Sequence, residues 1–409
     1  MIFFTLLTAF VIVAIAMPTL IQVARLKNLV DAPGDARKIH KRSVPTIGGV
    51  MVVLGFMLSA MVWLPANAVE EFDLKWLYLL SAGLALFFVG LKDDLIGLSP
   101  AKKLLVHLFL GGMLVHLGGF RIDTFDGLFG IHNIPLWLSY PFSLFVYIVA
   151  VNAVNLIDGI DGLAGGVGTL MMVTFGAWFL ATGNVAPATI AFAMAGSLMG
   201  FLVFNFHPAR IFLGDCGSLV LGLTAYVMAT EVMNTPATRV PLAWENISLP
   251  LLAMSALAYP LVDTLRVFTL RALRGRSPFS PDKNHLHHRI MMNGNGHAKA
   301  ALMLYSYTAA FIGLPFLIYW FFPQLNTTWV FVGELVAAFA VFIPLLRSTR
   351  YANLRQEALI KAADEEAPSP TTAEPLVHPA PKAPLSKEAP SWRDRVSTRK
   401  EAKAEQAPV

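Results

Sequence analysis

Eleven apolar runs follow one another through residues 1–350, at about 2–24, 47–65, 74–91, 103–118, 136–152, 164–182, 186–204, 217–233, 247–268, 301–321 and 328–346. Backbone inside a bilayer has no water to bond to, and a helix of roughly 20 apolar residues satisfies its own N–H and C=O groups while crossing. The runs fit that length. Of the 57 Asp, Glu, Lys and Arg residues only 39 fall in residues 1–350, or 11% of that stretch, whereas soluble domains carry about 25%. The implied fold class is an all-α polytopic membrane protein with about eleven transmembrane helices. A water-soluble enzyme is excluded.

The remaining residues differ in kind. Residues 363–409 are rich in Ala, Pro, Glu and Lys and show no apolar period, which predicts disorder. Two parts result: a transmembrane domain over 1–350, and a disordered Ala/Pro/charged tail over 351–409. The first run starts without a basic segment and ends at Gln22 and Arg25, so it reads as a retained helix and not as a cleaved signal. The single Cys216 excludes an intrachain disulfide.

Lysine and arginine fix the orientation. The loops 25–46, 92–103, 152–163, 205–216 and 266–299 hold 17 basic residues, while the alternate set holds only Lys75, Arg121 and Arg239. Positive charge gathers on the cytoplasmic side. The amino terminus is therefore expected outside and the carboxyl terminus in the cytoplasm. The net charge of +5 is explained by topology, and no nucleic acid partner is implied. The outer segment 119–135 alternates enough to suggest a short hairpin or a surface helix.

Acidic and histidine residues at inner ends of these runs are the candidates for chemistry, because polar groups near hydrocarbon are costly. Asp93 and Asp94 are adjacent carboxylates that repel unless a cation or proton shares their field; Lys102 and Lys103 follow. Asn155, Asp158 and Asp161 recur at three-residue steps, which on a helix would align them on one face, and Gly159 and Gly162 permit close backbone approach to a ligand. Asp215 lies between Gly214 and Gly217, where it suits either Mg²⁺ or an ordinary helix N-cap. His285, His287, His288 and Arg289 sit in a basic loop. Their spacing cannot put three histidines on one helical face, which disfavours zinc and favours an anionic ligand such as a sugar diphosphate.

Together these segments resemble the polyprenyl-phosphate N-acetylhexosamine-1-phosphate transferase family. The resemblance rests on Asp31-Ala32-Pro33 through His40 and Val44 to Gly49, the Asp93-Asp94 pair, the Asn152 to Ala164 segment, and the Pro208 to Ser218 segment, in the family's order. His285-Leu286-His287-His288 is similar to the branch that uses UDP-N-acetylglucosamine. The resemblance implies transfer of GlcNAc-1-phosphate from UDP-GlcNAc to undecaprenyl phosphate at the bacterial inner membrane, giving UMP and a lipid-linked sugar that starts an O-antigen-type or related glycan.

By the same resemblance, Asp215 with Asn155 holds Mg²⁺, with Mn²⁺ as a substitute. Asp93 deprotonates or positions the lipid phosphate, Asp94 supports it, and Lys103 neutralises charge. Asp158, Gly159 and Asp161 form the floor of a uridine pocket, with Phe212 stacking on the base. Arg37, His40, His285, His287, His288 and Arg289 contact the diphosphate and sugar. A homodimer is compatible with this reading. Two rivals stand beside it: the same reaction with another UDP-N-acetylhexosamine, and a secondary transporter. The transporter accounts poorly for acids at helix ends and for the lack of an internal repeat.

Overall fold

A computed structural model describes residues 1–27, 29–31, 44–67, 73–275 and 285–343. Arg37 and His40, expected to contact substrate, and the tail 351–409 lie outside the described residues.

Within the described residues each apolar run is mainly helical. α1 (Ile2–Leu26), α2 (Gly49–Asn67), α3 (Lys75–Ile96), α4 (Pro100–His116), α5 (Leu136–Leu156), α6 (Leu163–Ala181), α7 (Val185–Asn205) and α8 (Gly214–Met233) take the first eight. α9 (Leu249–Ala256) and α10 (Ala258–Leu273) share the ninth, α11 (Leu286–Met292) is a short helix in the basic loop, and α12 (His297–Phe321) and α13 (Thr327–Ala340) take the last two. Among the described residues six helices, α1, α5, α6, α7, α8 and α12, are long and apolar enough to cross a membrane alone, and α9 with α10 makes a seventh crossing if they count as one. Phe88, Phe109 and Phe145 are 59%, 72% and 61% exposed on the helical exterior. Apolar exteriors of this extent face lipid or a partner, not water.

The run 247–268, expected as one span, is broken. α9 and α10 meet at 75°. Pro260 supplies the cause: it has no N–H to return to the Ala256 carbonyl, so the ladder is interrupted where α10 starts. The hairpin expected at 119–135 is reduced to one antiparallel bridge, Thr124 with Asn133, around a 3-10 turn at Leu128–Gly130.

α8 is the buried centre. Every residue from Cys216 to Met233 is buried, with α3, α5 and α2 packed around it. α7 packs against α1, α2 and α6, and small residues let those backbones approach, as is usual where lipid removes the hydrophobic drive between helices. A Cβ on Gly196 would come within 2.2 Å of the Leu6 carbonyl oxygen. β1 (Val30–Asp31) and β2 (Val44–Pro45) pair antiparallel. Beyond β2 the chain runs beside 211–213: Phe212 N–H donates to Pro45, Gly48 N–H to Phe212 and Gly49 N–H to Leu213, each at 2.8 Å. This ladder joins the first loop to the start of α8.

Candidate active site

The carboxyl ends of α3, α5 and α7 converge with the amino ends of α4, α6, α8 and α12. Glycine makes that convergence possible. A Cβ on Gly90 would lie 2.6 Å from the Asp215 carbonyl oxygen, and one on Gly49 would lie 2.2 Å from the Gly217 nitrogen. The ends of α2, α3 and α8 therefore touch through backbone.

The first N–H groups of a helix have no partner within it and attract anions. At α8 they are taken by acids from other segments. Asp158 Oδ2 accepts the Gly214 N–H at 3.0 Å, and Asp94 accepts those of Asp215 and Cys216, both at 2.9 Å. The backbone being held, the Asp215 side chain faces the other way. Its Oδ1 accepts from Asn155 Nδ2 at 2.7 Å, and its Oδ2 is paired with the Lys103 ammonium. Lys103 also lies 3.1 Å from Asp93 Oδ2. Asp93 Oδ1 accepts the Leu98 N–H at 2.6 Å, which fixes the turn between α3 and α4. Asn155 Nδ2 donates as well to Ser218 Oγ at 2.8 Å.

The sequence expectation thus gathers at one place for Asp93, Asp94, Lys103, Asn155, Asp158 and Asp215. Asp161 departs from it. α5 ends at Leu156, so Asn155, Asp158 and Asp161 do not share one helical face. Asp158 turns to α8, whereas Asp161, only 4% exposed, turns to His207 Nδ1 at 2.6 Å, the Ala209 N–H at 3.1 Å and His297 Nδ1 at 3.3 Å.

Environment separates the two loop carboxylates. Burial pushes Asp158 up to about 7; the Gly214 N–H opposes this, and the charges of Asp215 and Asp94 add to it. Burial also acts upward on Asp161, but His297, His207 and the Ala209 N–H outweigh it and hold that carboxyl well below the ordinary range. One acid is poised near neutrality and the other stays ionised.

The histidine loop packs over Gly159. A Cβ there would lie 2.4 Å from His287 Nε2, so only glycine admits the ring. Burial, against the pull of Asp263, lowers His287 to about 3, which leaves it neutral. His285 Nδ1 lies 3.1 Å from Asp263 Oδ2, and the Leu286 N–H donates to Asp263 Oδ1 at 2.9 Å. His288 and Arg289 are half-buried beside them, and Phe212 is half-buried at the start of the α8 turn.

Four organising residues were not singled out from sequence. Asp263 and Asn205 anchor loops: Asn205 accepts the Gly162 N–H at 3.0 Å and donates to the Ile211 carbonyl at 2.8 Å. His207 and His297 hold Asp161. An acid inside the apolar run 247–268 was the available sign for Asp263. His297, remote in sequence from Asp161, gave none.

The sequence profile of glycosyl transferase family 4 matches residues 76–233, which include all the carboxylates around α8. Decaprenyl-phosphate N-acetylglucosaminephosphotransferase of Mycobacterium leprae is 32% identical over 350 residues, covering 80% of this chain and 86% of the relative. The probable undecaprenyl-phosphate N-acetylglucosaminyl 1-phosphate transferase of Bacillus subtilis is 28% identical, covering 72% and 78%. Undecaprenyl-phosphate alpha-N-acetylglucosaminyl 1-phosphate transferase of Escherichia coli K12 is 27% identical, covering 67% and 72%. With the shared segment centred on the acids that surround α8, this chain belongs to glycosyl transferase family 4, among the polyprenyl-phosphate N-acetylhexosamine-1-phosphate transferases.

Proposed function

We propose that the protein transfers GlcNAc-1-phosphate from UDP-GlcNAc to undecaprenyl phosphate, releasing UMP, at the cytoplasmic face of the bacterial inner membrane. The product, undecaprenyl-diphospho-GlcNAc, would start an O-antigen-type or related envelope glycan. The observation that carries this reading is the arrangement at α8: two acids hold the helix start while Asp215 faces Lys103 and Asn155. The apolar exterior supports a lipid acceptor, and the names of the relatives support the donor. The basic-loop count favours eleven spans with the amino terminus outside, which puts the acids on the cytoplasmic side where a nucleotide sugar is available.

An oxygen of the lipid phosphate attacks the β-phosphorus of UDP-GlcNAc. The bond from that phosphorus to the bridging oxygen breaks, and UMP leaves with the oxygen. Such transfers depend mainly on positioning and charge neutralisation. Lys103 lies between Asp93 and Asp215, where its ammonium can meet a phosphate brought in from the membrane. A phosphate monoester is largely dianionic at pH 7, so Asp93 contributes more by holding Lys103 than by removing a proton. Neutral His287 and its neighbours His285, His288 and Arg289 would close over the sugar diphosphate, and Phe212 would stack on uracil.

The residues fit Mg²⁺. Asp93 and Asp215 share Lys103 while Asp94 and Asp158 lie beside them on the backbone at the start of α8, an excess of carboxylate among the described residues that favours a hard cation. Asp215 would hold it with the amide oxygen of Asn155, whose nitrogen is committed to Asp215 and Ser218. When bound, the ion would neutralise diphosphate charge. Purified protein, undecaprenyl phosphate and a panel of UDP-N-acetylhexosamines test the proposal through UMP release. UDP-GlcNAc should turn over fastest. A faster rate with UDP-GalNAc or another sugar would move the donor assignment, and no UMP from any donor would overturn the reaction.

A further inference from the structure

The carboxylate cluster does not use Asp161, His207 and His297, which come from three segments: the turn before α6, the turn after α7, and the first residue of α12. His207 Nδ1 lies 2.6 Å from Asp161 Oδ2, and His297 Nδ1 lies 3.3 Å from Asp161 Oδ1. All three ligand atoms fall within 4.8 Å of one another. The imidazoles stack at 5.2 Å with 15° between their planes, and each presents Nδ1 to the same carboxylate.

We propose that these residues form a transition-metal site, for an ion of the zinc or cobalt class, separate from the oxygen-rich cluster at Asp215. Ligand bonds of 2.0–2.1 Å in a tetrahedral site put ligand atoms about 3.4 Å apart. His297 Nδ1 already lies 3.3 Å from Oδ1 while His207 Nδ1 lies 2.6 Å from Oδ2, so the carboxylate must turn one oxygen toward both rings and the His207 pair must open by less than about 1 Å. Two imidazoles and one carboxylate select zinc, cobalt or nickel over magnesium, which prefers oxygen alone.

The surroundings of the triad are built. The Ala209 N–H orients the carboxylate at 3.1 Å, the kind of outer hydrogen bond that fixes metal ligands. The adjoining Gly162 is held by Asn205 through its N–H and by the Tyr305 hydroxyl through its carbonyl. Asp161 is buried, while the His207 side chain is 43% exposed and leaves a way in for an ion. An ion here would tie the start of α12 to the turn that carries Asp158 and Gly159. Metal uptake does not depend on the proposed reaction, and its test reads binding and not turnover.

The experiment uses full-length protein carrying Asp215→Asn, stripped with chelator and titrated with Co²⁺. One equivalent should bind and give the visible absorption of a low-coordinate cobalt ion. His297→Ala in that background should weaken binding by about tenfold or more, since loss of even an outer hydrogen bond costs that much. His207→Cys should keep the site and add a thiolate-to-cobalt band that is absent from the Asp215→Asn parent and diminished when His297→Ala is added. Buried Cys216, common to every variant, serves as the control. Failure of the Asp215→Asn protein to take up cobalt, or cobalt bound by His207→Cys without the new band, would overturn the proposal. In either case the triad would be an ion-paired network only.

Discussion

The backbone N–H of Asp215 donates to the Asp94 carboxylate at 2.9 Å. The second acid of the Asp93-Asp94 pair thus holds the backbone of the residue whose side chain meets Lys103. Two neighbouring carboxylates have separate tasks: Asp94 fixes the start of α8, and Asp93 shares Lys103 with Asp215.

Removing Asp94 should therefore act through structure. Asp94→Ala leaves the N–H groups of Asp215 and Cys216 without their acceptor. A hydrogen bond to a charged group contributes about 1.5–3 kcal/mol, and a loss of that order is expected. Asp94→Asn, which keeps an acceptor, should lose less. Thermal unfolding in detergent reads both, and an unshifted midpoint for Asp94→Ala would show that the contact is not structural.

Asp93 and Phe212 should separate chemistry from nucleotide binding. Asp93→Asn should depress kcat strongly and leave UDP-GlcNAc affinity within a few-fold. Phe212→Ala should weaken nucleotide binding about 5- to 150-fold, since stacking on a base contributes roughly 1–3 kcal/mol. Donor titrations and single-turnover rates on the purified variants give the comparison. The opposite pattern would reverse the two half-sites.

Asp158 should leave a mark on stability against pH. Its folded-state value of about 7 lies above the ordinary 3.8, so the native protein binds a proton that the unfolded chain releases. Stability from this group is complete below the ordinary value, declines as pH rises and is gone above about 7. In chelator, the unfolding midpoint of the wild type should fall more steeply from pH 5 to 7 than that of Asp158→Asn. Parallel curves would remove this account of Asp158.

Gly159→Ala should displace His287. The added Cβ would meet the ring at 2.4 Å, and His287 is fully buried and has no room to retreat. We expect UDP-GlcNAc affinity to fall while insertion and yield persist. Calorimetry on the variant checks it, and unchanged affinity would place the histidine loop away from the donor.

Sequence made the helices legible because apolar length largely dictates them: within the described residues the runs are mainly helical, though six or seven pass as spans by length and hydropathy. It also isolated Asp93, Asp94, Lys103, Asn155, Asp158 and Asp215, because charge at the ends of apolar runs is costly without a use. It missed the break at Leu257, since hydropathy continues through Pro260 while the hydrogen-bond ladder does not. Periodicity put Asp161 beside Asp158, but α5 stops at Leu156 and the following turn rotates the two acids apart. The partners of Asp161 come from α12 and the turn after α7, contacts that only the folded chain creates.

In the proposed reaction a phosphosugar, not a bare sugar, moves to the lipid. Incubation of the purified protein with UDP-GlcNAc and undecaprenyl phosphate, with nucleotide and lipid products identified together by mass spectrometry, tests it most directly. UMP and undecaprenyl-diphospho-GlcNAc are expected in equal amounts, with both lost in Asp215→Asn. Release of UDP with a monophosphate-linked lipid, or undiminished turnover by Asp215→Asn, would contradict it.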